Sequence, residues 1–86
     1  METMRALVYD RPSVCSVRDV PMPVCGEDEV VIKVMAASIC KGADRRHHTT
    51  GHKLGRYPIT TGHEFAGYIY QVGSAVTGWN VGDRVT

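Results

Sequence analysis

The chain has 86 residues, of which 43% are hydrophobic and 22% charged, and its formal net charge is +1. This length suits one small domain, and the near-neutral balance argues against an electrostatic surface for nucleic acid or for a membrane. No apolar run could span a bilayer and the first residues lack the apolar core of a signal peptide, so we expect a cytoplasmic protein. The three cysteines, an odd number, predict free thiols rather than a disulfide framework.

The first part of the chain predicts three strands. Met4–Asp10 is β-prone, is closed by a turn at residues 10–13 and pairs as a hairpin with the loosely alternating run Val14–Val20. Prolines at positions 21 and 23 exclude a helix or a central strand there. Glu29–Ala36 predicts the best strand of the chain, and because both of its faces are at least partly apolar, we expect it to be central in its sheet.

The second part combines a long polar segment with one more strand. Residues 41–61 predict an irregular loop with at most one or two helical turns at Ala43–Thr50, since Thr49, Thr50 and Gly51 are poor helix formers. Phe65–Val72 predicts a strand in which Gly67 marks a bulge or a close backbone contact. Four or five strands around one polar loop give a mainly β fold. Residues 81–86 look like a turn that enters a strand, which suggests a fragment of a longer protein.

A candidate metal site lies at the ends of two strand-forming runs. Cys40 ends one run, and His63 and Glu64 open the next. Thiolate, imidazole and carboxylate are the ligand types of zinc, and a site with few protein ligands leaves a coordination position open for water or substrate. Taken singly, Cys40 reads as a buried thiol and His63 as a turn histidine. The combination favours the metal.

Two further clusters have simpler interpretations. His47, His48 and His52 would form a second metal site only if His48 and His52 shared a helical face, and Gly51 argues against that helix. The basic residues Lys41, Arg45 and Arg46 are interpreted as a solvated loop rather than as a phosphate site.

Several blocks in one order resemble a known family. They are Met4–Tyr9, Val20–Pro23, Asp28–Val34, Ala37–Cys40, Gly62–Gly67, Val72–Gly73 and Val81–Val85. Together they resemble the zinc-dependent medium-chain dehydrogenases, the alcohol and polyol dehydrogenase superfamily. The resemblance implies that residues 1–86 are the N-terminal part of a GroES-like catalytic domain, a partly open β-barrel truncated from a two-domain dehydrogenase. The Rossmann domain of that family is absent from this chain, which also has no Gly-x-Gly-x-x-Gly motif.

The resemblance also implies the chemistry. Cys40 and His63 would be ligands of a catalytic Zn²⁺, and Glu64 matches a glutamate that can approach or bind the metal. Hydride would pass between a small alcohol or polyol and NAD or NADP, which the missing domain would bind. The parent enzyme would be a homo-oligomer, and we expect the fragment alone to be inactive.

One departure concerns the residues after Cys40. Family members usually carry an aspartate three residues after the ligand cysteine, whereas Asp44 follows Cys40 by four. We expect Asp44 to orient His63 by a hydrogen bond. Some members place a proton-relaying histidine shortly afterwards. Here His47 is a candidate for that role and His48 another, and the alternative for each is an exposed loop histidine.

Two other functions are open. A stand-alone GroES-like binding or assembly module, without catalysis, could self-associate by strand pairing at an exposed edge. The zinc-free quinone reductase branch of the same superfamily generally lacks the ligand cysteine and the His-Glu pair, so this sequence argues against it.

Overall fold

The computed structural model describes residues 2–51 and 55–86. Their secondary structure, in chain order, is β1 (Thr3–Arg11), β2 (Val14–Pro21), β3 (Val30–Ser38), α1 (Lys41–Thr50), β4 (Ile59–Thr60), β5 (Glu64–Val72) and β6 (Arg84–Val85). The chain divides into two compact units: Met1–Met22 with Ile39–His63, and Pro23–Ser38 with Glu64–Thr86. No helix of the described residues has the length and apolar character needed to cross a bilayer.

The first unit is built on the predicted hairpin. β1 and β2 pair antiparallel from Thr3–Pro21 to Arg11–Val14, which leaves a two-residue turn. Ser13 in that turn has a φ of 64°, a left-handed conformation that turn residues adopt. β1 also pairs with β4, so β1 is the middle strand of the order β2-β1-β4. Val8 and Tyr9, the two residues of β1 that pair with β4, are buried.

The prediction of an irregular loop is wrong for Lys41–Thr50, where α1 is a ten-residue helix rather than one or two helical turns. Propensity is a weak guide that local and tertiary contacts override. The hydroxyls of Thr49 and Thr50 donate to the carbonyls of Arg45 and Arg46, at 3.0 and 2.9 Å, so these poor helix formers satisfy their polar atoms inside the helix. The helix ends before Gly51, whose φ of 101° favours glycine.

The second unit contains a sheet of order β3-β5-β6. β3 and β5 pair antiparallel along their whole length, with irregularities between Val31 and Ile32 and between Val34 and Ala36. β5 is therefore the central strand and β3 an edge strand of the described sheet, so the predicted central position of β3 is wrong. Apolar side chains on both faces indicate that the two faces of a strand are covered. They do not show that the strand has hydrogen-bonded neighbours on both edges, which a central position requires.

The predicted close contact at Gly67 is confirmed. A Cβ atom at this position would overlap the backbone carbonyl of Lys33 on the neighbouring strand. Glycine therefore allows β5 to approach β3 where the register shifts. Ile69, two residues further along β5, is 1% exposed and forms the centre of this small core.

Candidate metal site

The first unit brings together two of the predicted ligands. Cys40 is the residue that precedes α1, and His63 follows β4 after two intervening residues. The Cys40 Sγ atom and a ring nitrogen of His63 lie within 4.8 Å of each other. With Zn–S of about 2.3 Å and Zn–N of about 2.0 Å, two ligand atoms of a tetrahedral zinc lie roughly 3.5 Å apart. The separation therefore suits a shared metal ion after a small closing movement of the side chains.

Asp44 links the two ligand segments. Its Oδ2 atom accepts a hydrogen bond from the backbone N–H of Cys40 at 2.8 Å, while its own N–H donates to the Cys40 carbonyl at 2.9 Å. Its Oδ1 atom lies 3.7 Å from Nδ1 of His63, an ion-pair distance that is longer than a hydrogen bond. The predicted hydrogen bond that orients His63 therefore stays a prediction.

The Oδ1 atom of Asp44 is buried and accepts no hydrogen bond from the described residues. Buried carboxylate oxygens normally have a partner, so this atom is an acceptor in need of a donor. A proton on Nδ1 of His63 would supply that donor and would leave Nε2 of the ring to bind a metal, as ligand histidines in zinc sites do. Together with the thiol and imidazole of Cys40 and His63, this arrangement fits Zn²⁺.

Glu64, the third predicted ligand, is the first residue of β5 and belongs to the second unit. Its carboxylate accepts a hydrogen bond from the hydroxyl of Ser38 at 3.0 Å, across the last pair of the β3–β5 ladder. This bond gives the Glu64 side chain a defined orientation at the start of β5. Its role as a ligand stays a prediction.

The two histidines of α1 differ in their surroundings. His47 is half-buried and lies three residues after Asp44, on the same side of the helix. Its role in proton relay stays a prediction. His48 has a partner in the described structure, because its Nδ1 atom lies 2.7 Å from the hydroxyl of Tyr9. His52, the third member of the alternative histidine cluster, lies outside the described residues.

Sequence reasoning missed Tyr9. The side chain is 8% exposed, and its ring packs edge-on against the imidazole of His48 with centroids 5.7 Å apart. Burial raises the pKa of Tyr9 above its ordinary value of 10.0, and the nearby Cys15 thiol raises it further. A tyrosine in a strand signals a buried ring with a bonded hydroxyl, but the partner is 39 residues away in sequence.

The other cysteines and the basic residues lie elsewhere. Cys15, Cys25 and Cys40 are free thiols, as predicted. Lys41, Arg45 and Arg46 do not belong to a loop: they line an open depression along α1. Among the described residues, none of these three cations forms an ion pair. They remain a solvated surface.

Residues 26–86 match the family model of the alcohol dehydrogenase GroES-like domain. The chain belongs to this family. It is 49% identical over 67 residues, 78% of the chain, to YdjL of Escherichia coli K12, an uncharacterized zinc-type alcohol dehydrogenase-like protein of which the match covers 18%. It is also 42% identical to a sorbitol dehydrogenase of Bacillus subtilis, with 98% of this chain and 24% of that protein covered.

A solved structure agrees with this assignment. The chain superposes with a TM-score of 0.90 and 36% identity on a protein of Sinorhizobium meliloti 1021, described as a zinc-binding dehydrogenase bound to NADP. The superposition covers 100% of this chain and 25% of that protein. The predicted mainly β, GroES-like fold is therefore confirmed, and the chain spans about a quarter or less of the length of the relatives it matches.

Proposed function

We propose that this chain is the N-terminal part of the catalytic domain of a zinc-dependent dehydrogenase that transfers hydride between a small alcohol or polyol and NAD or NADP. The observation that carries the proposal is the approach of Cys40 Sγ and a His63 ring nitrogen to within 4.8 Å. The zinc-type alcohol dehydrogenase-like relative and the sorbitol dehydrogenase support the reaction class. We assign the nicotinamide cofactor to a further domain, because this sequence lacks a dinucleotide-binding glycine motif.

Cys40 and His63 would hold the zinc ion, with Glu64 as a third donor. Zinc bound there would supply Lewis acidity toward the oxygen of an alcohol. Cys40 would bind the metal as a thiolate and reduce the charge of the site, while Asp44 holds the Cys40 backbone by accepting its N–H. Asp44 also favours a proton on Nδ1 of His63, which leaves Nε2 as the metal ligand.

His47 is the proposed proton carrier of the reaction. It is half-buried in the last turn of α1, on the side of the helix that carries Asp44. A neutral imidazole nitrogen can accept the proton that an alcohol loses on oxidation and pass it to solvent. We further expect the whole enzyme to be cytoplasmic. We expect it to be homo-oligomeric, as the family resemblance implies, and this chain alone to be inactive.

Cobalt substitution tests the metal site directly. The metal-free chain is titrated with Co²⁺, and a thiolate-to-cobalt absorption band with one ion bound per chain is the expected result. Cys40→Ser should abolish the band, whereas Cys15→Ser, which alters an exposed free thiol, should preserve it. An unchanged band in Cys40→Ser would refute the site. In the protein of the complete reading frame, oxidation of polyols should depend on zinc and on Cys40.

A binding or assembly module without catalysis is the second candidate. β3 is an edge strand of the described sheet, and it exposes Val34 and Met35 by 50% and 67%. Exposed apolar edges pair with other chains. Light scattering distinguishes the two functions: this module should dimerise with rising concentration and lose that tendency in Met35→Lys. A monomer that becomes more stable on addition of zinc would contradict the module.

A further inference from the structure

Tyr9 contacts both chain segments that carry the candidate ligands of the first unit. Its backbone pairs with Ile59 in β4, and β4 ends three residues before His63. Its hydroxyl lies 2.7 Å from Nδ1 of His48 in α1, the helix that begins directly after Cys40. One buried residue of β1 therefore touches the segment of each ligand without touching either ligand in a described contact.

The contact with α1 is specific. The Tyr9 and His48 rings meet edge-on, with an interplanar angle of 76°, and their polar atoms are within hydrogen-bond distance. The hydroxyl of Ser13, in the turn after β1, donates to the backbone carbonyl of His48 at 2.9 Å. The last turn of α1 is thus attached to the β1–β2 hairpin at two atoms of one residue.

The opposite end of α1 lies next to the two candidate metal ligands, Cys40 and His63. Asp44, one turn before His48, accepts the N–H of Cys40 and faces His63. An α-helix moves as a rigid rod over such a short length, since its backbone hydrogen bonds fix each residue relative to the next turn. A shift of His48 therefore moves Asp44 and the backbone of Cys40 with it.

The contact with β4 is short and central. Only Val8 and Tyr9 pair with β4 in the described sheet. They are also the buried hydrophobic residues of the first unit, among the described residues. The pairing at Val8 and Tyr9 therefore fixes the position of β4, and with it the start of the segment that leads to His63.

We propose that Tyr9 is a positioning residue that holds Cys40 and His63 at the separation required for a shared metal ion. The proposal rests on the zinc site of the proposed function. Tyr9 acts through the His48 side chain on α1 and through the Ile59 backbone on β4. Replacing its hydroxyl alone removes its bond to His48 in α1 but preserves the buried ring and the strand pairing.

Tyr9→Phe tests the proposal by metal affinity, measured through competition of a chelator for Co²⁺ bound to the chain. We expect a loss of up to about tenfold, below the roughly 10–100-fold seen for direct partners of metal ligands because Tyr9 acts one contact further away, together with a shifted cobalt absorption spectrum. Tyr70→Phe removes the hydroxyl of a half-exposed tyrosine in β5 and should alter neither. Circular dichroism of each variant establishes that it is folded at the temperature of the titration.

A double-mutant cycle with His48→Ala assigns the effect to this one bond. If Tyr9 acts through His48, the double variant binds Co²⁺ no more weakly than His48→Ala alone. Wild-type and Tyr9→Phe chains of equal affinity and equal spectrum would overturn the positioning role while leaving the metal site intact. A wild-type chain that binds no cobalt would instead overturn the proposed function.

Discussion

The carboxylate of Asp44 accepts a hydrogen bond from the backbone N–H of Cys40 at 2.8 Å, four residues earlier in the chain. A carboxylate that reaches back to the residue before a helix stabilises the helix start, as in a capping box, where the acidic residue lies one position earlier. The other oxygen of the same group faces His63. One side chain therefore contacts the start of α1 and faces the candidate ligand His63.

Asp44→Asn should separate these two roles. The amide oxygen can still accept the N–H of Cys40, so α1 should persist, but the negative charge near His63 is lost. We expect Co²⁺ affinity to fall by roughly tenfold to a hundredfold with little change in helical circular dichroism. Asp44→Ala should also lose helix stability, by about 1 kcal/mol. Unchanged cobalt affinity in Asp44→Asn would show that the charge has no role.

Gly67→Ala should destabilise the second unit. The added methyl group would overlap the carbonyl of Lys33, so β5 must move away from β3. We expect a loss of about 1–3 kcal/mol in the free energy of unfolding, measured by urea denaturation. Gly42→Ala is the matched control, because its Cβ meets no atom within 4 Å and alanine favours α1 by about 0.5–1 kcal/mol. Equal midpoints for wild type and Gly67→Ala would contradict the close contact.

Asp10→Asn should change the acid dependence of stability. Arg18 donates to the Asp10 carboxylate at 2.7 Å and lowers the pKa of Asp10 below its ordinary value of 3.8. The stabilisation is present above pH 3.8 and is lost as the pH falls through the lower pKa of the folded state. The variant should therefore be slightly less stable at neutral pH and should lose less stability on acidification.

The effect of Asp10→Asn should be small, because both side chains of this pair are more than a third exposed and solvent screens their attraction. Asp19→Asn is the control, since Asp19 lies on the same hairpin and forms no ion pair with a described residue. Thermal melts across the acidic range provide the comparison. Parallel stability curves for wild type and Asp10→Asn would contradict the predicted pKa shift.

Local patterns predicted the elements whose partners are near in sequence. The hairpin of β1 and β2 follows from two β-prone runs on either side of a short turn, and the close contact at Gly67 follows from a glycine inside a strand. The full length of α1 was not predicted, because Asp44 supports the helix at one end and Tyr9 and Ser13 contact it at the other. The last two contacts join residues that are 39 and 35 positions apart.

The candidate ligands could be predicted from the sequence because zinc accepts only a few types of side chain. Cys40 and His63 are donors that zinc selects, so their pairing could be expected without knowledge of the fold. The same reasoning could not find Tyr9, because a phenol is not a zinc ligand of this kind and its contribution depends on which helix and which strand it contacts. Its position between α1 and β4 emerges only from the folded chain.

The pairing of β1 with both β2 and β4 has a consequence for the order of assembly. A hairpin with a two-residue turn closes within microseconds, whereas joining β4 to β1 requires closure of a much longer loop at greater entropic cost. We therefore expect the hairpin to exist before the strand that leads to His63 docks on it. A metal ion would then complete an already shaped scaffold as the closing event of folding, rather than act as the template on which the chain condenses.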